Sequence, residues 1–93
     1  MLLRFEWDPE KAASNLKKHG VSFDEAAAAF RDPFAAIFDD DAHSDVEPRQ
    51  ILVGHAVTGR LLLVSFTERA DTVVRIISAR SASRREKKAH EER

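Results

Sequence analysis

The chain has 93 residues, with 15 Lys or Arg against 16 Asp or Glu, a formal net charge of −1 and no cysteine. That length sets the expectation of a single domain over residues 1–93 with a modest core, burying only roughly 60–65% of the surface its unfolded chain exposes. The lack of cysteine excludes disulfides, thiolate zinc sites and cysteine nucleophiles and fits a cytoplasmic, reducing setting, while the near-zero charge argues against a protein that coats DNA in bulk.

The opening MLLRFEWDPEK is too polar for a signal peptide. Within it Leu2–Trp7 reads as a short strand. Asp8-Pro9 then opens a helix, the carboxylate accepting from orphan N–H groups and proline suiting the first helical position. Ala12, Ala13 and Leu16 supply its apolar stripe; Lys17, Lys18 and His19 favour its C-terminus, and Gly20 stops it. A second helix starts with Ser22 and Glu25 at capping-box spacing, runs through the alanines 26–29, is anchored by Phe23 and Phe30, and ends at Asp32-Pro33.

Phe34–Phe38 has the aromatic and β-branched content of a strand, and Asp39–Pro48 reads as a polar loop. Arg49–Val57 alternates, with Ile51, Val53 and Val57 on one face. Thr58-Gly59 is a two-residue hairpin signal. Arg60–Thr67 carries apolar residues on both faces and is expected at the centre of the sheet. Its longest apolar run, Leu61–Val64, is far too short for a membrane span. Ala70-Asp71 is the next turn and Thr72–Ala79 the last strand. Ser83 and Glu86 then repeat the capping-box spacing before a polar helix, RREKKAHEER, with almost no apolar face. The order β-α-α-β-β-β-β-α places two N-terminal helices against an antiparallel sheet, an α+β fold.

Several stretches carry a specific likeness. FEWDPEKAASNLKKHGVSFDEA resembles the signature of the BrnT family through Trp7, Asp8, Lys11, Asn15, Lys18, His19, Gly20, Val21 and Phe23. A second block, Thr67-Glu68-Arg69 followed by Arg75-Ile76-Ile77-Ser78-Ala79-Arg80, and the helix with Ser83, Arg84 and Glu86 extend it over nearly the whole chain. The resemblance implies a type II toxin that cleaves RNA and arrests translation, on a fold similar to the RelE ribonuclease toxins. It also implies a hetero-oligomer with a BrnA-like antitoxin bearing a ribbon-helix-helix domain, through which operator DNA is contacted. Family members often carry tyrosine near the end of the last helix, where this chain has His90.

Charge is unevenly spread. Asp39, Asp40, Asp41, Asp45 and Glu47 crowd one loop, a surface for basic antitoxin segments, whereas residues 69–93 hold eight Lys or Arg and four Asp or Glu. Metal-free RNA cleavage needs a base for the 2′-hydroxyl, an acid for the 5′-oxygen and cations for the phosphorane charge. Arginine suits the last task and histidine the first two. The histidines show no His-x-x-x-His spacing, so no metal or other cofactor is expected. With Ala70-Asp71 as the turn, Arg60 sits beside Arg80, and Arg69 lies at the far end, roughly 25–30 Å away at about 3.3 Å per residue.

The fold likeness favours Arg60, Arg80 and Arg84 on phosphate, with His90 or His55 moving protons and Arg84, Arg85, Lys87 and Lys88 meeting RNA. Glu68 and Arg69 form the competing cluster. Structural readings stand beside these: Trp7 as a packing residue, His19 as a helix C-terminal cation, His55 as a packed strand residue, the α-helical tail as a solvated face. A non-catalytic module that binds the antitoxin and acts as co-repressor is the alternative to an enzyme.

Overall fold

The computed structural model describes residues 2–43 and 47–92. Asp45 of the acidic loop and Arg93 of the basic tail lie outside the described residues. In chain order the elements are β1 (Arg4–Glu6), α1 (Pro9–His19), α2 (Phe23–Ala29), β2 (Ala36–Asp39), a 3-10 turn (Asp41–His43), β3 (Gln50–His55), β4 (Leu61–Ala70), β5 (Val73–Ser81) and α3 (Arg84–Glu91). The α+β class and the element order match the expectation. None of the helices among the described residues is long and apolar enough to cross a membrane.

The helix ends follow from their caps. The Asp8 side chain accepts from the Glu10 N–H, Pro9 opens α1, and Gly20, in the left-handed region at φ 68, donates to the Leu16 carbonyl. The Ser22 hydroxyl accepts from Glu25 N–H at α2, and Ser83 and Glu86 form a complete capping box at α3.

The sheet order is β1-β5-β4-β3-β2, so β4 is central as expected. The sheet is mixed rather than wholly antiparallel: β2 to β5 form an antiparallel meander, but β1 pairs in parallel with β5, Phe5 opposite Val74. α1 and α2 carry the chain from β1 at one edge to β2 at the other, and the meander then returns to set β5 beside β1. α1 and α2 lie on one face, where Val21, Phe23, Ala26, Leu52, Leu62, Val64, Phe66, Val74 and Ile76 form the core. Phe30 bridges Phe5 and Phe66 with ring centroids 5.1 and 5.0 Å apart. Edge-to-face pairs of this kind add about 0.5–1.5 kcal/mol each beyond area burial.

Local expectations fail where side-chain type alone was the guide. In α1 the buried residue is Asn15, while Leu16 is half exposed. Its amide donates to the Val21 and Ala79 carbonyls at 2.9 and 2.8 Å and accepts from Ala79 N–H at 3.0 Å. β1 reaches β5 only at Val73–Arg75, so Asn15 serves the backbone of β5 beyond that point. The loop between β3 and β4 has three residues, Val57–Gly59, rather than two. Ala56 N–H donates to the Arg60 carbonyl, Gly59 N–H donates to Ala56, and Gly59 takes φ 93, the form a glycine at the third loop position permits. Val57 is therefore exposed in the turn and shares no strand face with Val53. Phe34 precedes β2 and is 78% exposed.

The β4–β5 register also differs. Ala70 pairs with Val73, making Asp71-Thr72 the loop, and shifts occur at Ser65/Phe66 and Glu68/Ala70. Leu63 faces Arg80 and Leu62 faces Ser81, so Arg60 is not the cross-strand neighbour of Arg80. The two shifts offset each other along the hairpin, so the register at Arg80 is set by the turn, which falls one residue later than expected and displaces the pairing by two residues.

Candidate active site

Opposite the helical core, the second sheet face carries Ile51, Val53 and His55 from β3, Leu63 and Ser65 from β4, and Ser78 and Arg80 from β5. The inward residues Leu52, Gly54, Leu62 and Val64 alternate with the first two sets, as strand pleating dictates. α3 returns over this face. It has no buried residue of its own, and its Glu86, Ala89 and His90 line a groove of about 280 Å³ with Phe38, Ile51, Val53 and Leu63.

Two further recesses adjoin that groove. One, of about 290 Å³, shares Ile51 and Leu63 and adds His19, Arg49, Ser65, Ser78 and Arg80. The other, of about 520 Å³, shares His90 and adds Pro33, Phe34, Ala35, His55 and Glu91. Through these shared residues the three recesses form a row, the trough, from Arg49, Arg80 and His19 at one end to His55 and His90 at the other.

The imidazole end is organised by Asp32. Its Oδ2 accepts from the His55 backbone N–H at 2.7 Å and lies 2.8 Å from His55 Nδ1, while Oδ1 accepts from Phe34 N–H at 2.9 Å. These donors, led by the His55 backbone N–H, hold the Asp32 carboxyl below its ordinary range against the opposing effect of burial. An ionised carboxylate has no proton to give, so the Nδ1 facing it carries the hydrogen and Nε2 is left outward. The His90 ring centroid is 5.8 Å from that of His55, at 59°, and His90 Nδ1 is buried without a hydrogen-bond partner.

At the guanidinium end, Arg80 Nη1 and Nη2 donate to the two Glu86 oxygens at 2.8 and 2.9 Å. Glu86 also accepts from Ser83 N–H. The Arg80 fork, foremost, lowers the Glu86 carboxyl to about 2. Glu86 and His90 are one helical turn apart, so the pair stands about 6 Å from the His90 position along α3.

Arg60 departs from the expectation that it shares this site. Its guanidinium donates from Nε and Nη2 to Glu25 at 2.7 and 2.6 Å and from Nη2 to the Gly20 carbonyl at 2.7 Å, tying the β4 entrance to α2 and the end of α1. Its Nη1 also donates to Ser81 Oγ at 3.5 Å, so its shorter bonds are to the helical layer, whereas those of Arg80 are to Glu86 of α3. Glu68 is exposed at the far end of β4. Arg69 there approaches Glu6 and Glu47 at 3.9 and 3.8 Å, on the order of 20–25 Å along the strands from Arg80. Arg84, Arg85, Lys87 and Lys88 are exposed on α3, with Lys88 4.0 Å from Glu92.

Asp32 was legible in sequence only as a helix stop; its role needs β3 beside it. Among the described residues no three His, Asp or Glu side chains gather as a cation site.

A family model described as "Ribonuclease toxin, BrnT, of type II toxin-antitoxin system" matches residues 7–86. The chain belongs to the BrnT family. The crystal structure of the Brucella abortus ribonuclease toxin, BrnT, is similar to it with a TM-score of 0.69 and 25% identity, over 88% of this chain and 99% of that one. No curated protein matches the chain in sequence. BrnT membership implies an antitoxin partner and an RNA target.

Most residues of the BrnT signature near the N-terminus are architectural in this chain. Trp7 lies edge-on to Phe23 at 5.8 Å, Asp8 and Gly20 cap α1, Val21 is fully buried and Asn15 holds Ala79. His19 ends α1, is exposed, and stands at the rim of the Arg80 recess. The second block supplies Arg80 itself.

Proposed function

We propose that this BrnT-family chain is an endoribonuclease whose reaction runs along the trough beneath α3, independent of metal. The single observation that carries the reading is the Asp32–His55–His90 cluster on the same sheet face as Arg80. His55 and Arg80 are separated by two strand spacings and two residues, about 12 Å between Cα atoms, a distance their side chains and one nucleotide can span.

In this reading Arg80 exchanges Glu86 for the scissile phosphate. A carboxylate and a phosphate present the same pair of oxygens to a guanidinium fork, and the pair is partly solvated, with 47% and 33% of the two side chains exposed, so the exchange is inexpensive. His55 Nε2 accepts the 2′-hydroxyl proton, Asp32 stabilises the resulting imidazolium, and the 2′-oxygen bonds to phosphorus. The 5′-oxygen leaves as a hydroxyl, protonated from the His55–His90 pair, and the other product is a 2′,3′-cyclic phosphate. Arg84, Arg85, Lys87 and Lys88 line the outer side of α3 as RNA-contacting cations. Arg60 serves architecture, and the Glu68/Arg69 end lies outside the reacting region. The antitoxin is a BrnA-like ribbon-helix-helix protein that masks this face and carries the operator DNA contact.

The test is purified protein on defined RNA with and without EDTA, followed by analysis of product ends. Cleavage that survives EDTA and leaves cyclic phosphate is expected, and His55→Ala and Arg80→Ala each remove it without unfolding. Normal growth on induction of the lone gene, with no RNA decay, would replace this reading by the non-catalytic co-repressor module.

A further inference from the structure

The recess at the imidazole end has a wall that the chemistry above does not use. Phe34 is 78% exposed, an aromatic ring left in water where burial would be worth about 1.5–3 kcal/mol. It is nonetheless held in place. Phe34 N–H donates to Asp32 Oδ1 at 2.9 Å and Ala35 N–H donates to the Asp32 carbonyl at 3.1 Å. Pro33 fixes the backbone at the second position of that turn. The other oxygen of the same carboxylate holds His55, so one side chain fixes both the imidazole and the backbone from which the ring projects.

We infer that Phe34 is a stacking platform for a nucleobase next to the bond that is cut, so that the substrate is single-stranded RNA with that base turned out. The inference rests on the ribonuclease reading and adds the form of RNA taken. The recess is walled by Pro33, Ala35, Phe34 and the two imidazoles, which are flat or apolar surfaces suited to the face of a base. Among the described residues its lining carboxylate is Glu91, which repels phosphate and can accept from the exocyclic amino group of a base. The backbone of the same nucleotide is thereby directed along the trough toward Arg80. A base inside a duplex has its faces covered by neighbours and cannot reach the ring.

The experiment uses the full chain and a single-stranded, uniformly 2′-O-methyl oligoribonucleotide containing 2-aminopurine, which lacks the attacking hydroxyl and so reads binding without cleavage. Stacking quenches the aminopurine fluorescence. Wild-type protein is expected to quench the single strand and not its duplex. Phe34→Ala is expected to weaken binding about 5- to 100-fold, Phe34→Tyr to restore it, and Phe34→Leu to fall short because it keeps apolar bulk but has no π face. Melting temperature should change little in all three, since the ring is 78% exposed.

Equal binding by Phe34→Ala, equal binding by Phe34→Leu, or no quenching by the wild type would each overturn the platform. Its failure is separable from failure of the nuclease reading. Cleavage of the unmodified RNA that Phe34→Ala leaves intact sinks the platform alone. Quenching of the probe by a protein that never cleaves sinks the nuclease alone.

Discussion

Asn15→Ala tests how the strand that carries Arg80 is held. Asn15 is 6% exposed and Ala79, its partner, 2%. Removing the amide strips the Ala79 N–H, the Ala79 carbonyl and the Val21 carbonyl of a hydrogen bond each. A buried polar group left unpaired costs about 1–3 kcal/mol. Taking about 2 for the N–H and about 1 for each carbonyl, which keeps a second lone pair, gives a loss of about 4 kcal/mol. That is a large share of the ~5–15 kcal/mol available to a small domain, and at ~4–8 °C per kcal/mol it lowers Tm by about 16–32 °C.

Thermal melting by circular dichroism and urea titration at pH 7 would measure it. Asn15→Asp sharpens the test. At neutral pH its carboxylate accepts from Ala79 N–H but faces two carbonyls with no proton to offer. At low pH the carboxyl regains one donor, so its deficit relative to wild type should narrow. An Asn15→Ala protein within about 1 kcal/mol of wild type would refute the reasoning, because it would mean that water or a backbone shift satisfies those groups.

Asp32→Asn is expected to lower kcat for RNA cleavage by roughly 10²-fold or more with KM little changed, since the neutral amide has one acceptor oxygen to serve His55 and Phe34 and no charge to stabilise an imidazolium; an unaltered kcat would remove Asp32 from any positioning role. Stability should fall in acid. Glu86, lowered to about 2 from 4.5, and Glu25 and Asp32, also lowered, all have folded-state values below their unfolded ones. Their contribution is complete above about pH 4.5 and is lost as pH falls toward about 2. Tm measured between pH 7 and 2 should be level above about pH 5 and decline below it, less steeply in Glu86→Gln; a level profile down to pH 3 contradicts the ion-pair assignments.

Much of the architecture is local and therefore readable along the chain. Asp8-Pro9, Gly20 and Ser83 with Glu86 act on their own neighbours and cap as expected, while at α2 only the Ser22 half of the expected box forms, because the Glu25 carboxylate is taken by Arg60 and Thr58. The helix ends were accordingly legible to within a residue or two. The doubly apolar Leu61–Val64 run likewise predicts a central strand, because two buried faces demand cover on both sides. Arg80 stood out through its block, and His55 and His90 through imidazole chemistry. Asp32 did not, since a carboxylate before proline has an adequate local reason to exist.

What the sequence by itself determined, then, is the list of elements, their caps, the family and the residue types able to handle phosphate and protons. Tertiary structure decided which of these meet. The β4–β5 turn at Asp71-Thr72, one residue later than expected, moved Arg60 out of register with Arg80, the layer of α1 and α2 claimed Arg60 through Glu25, and the return of α3 brought His90 to His55. Strand register and side-chain partnership depend on groups distant in sequence, and for those no local propensity supplies the answer.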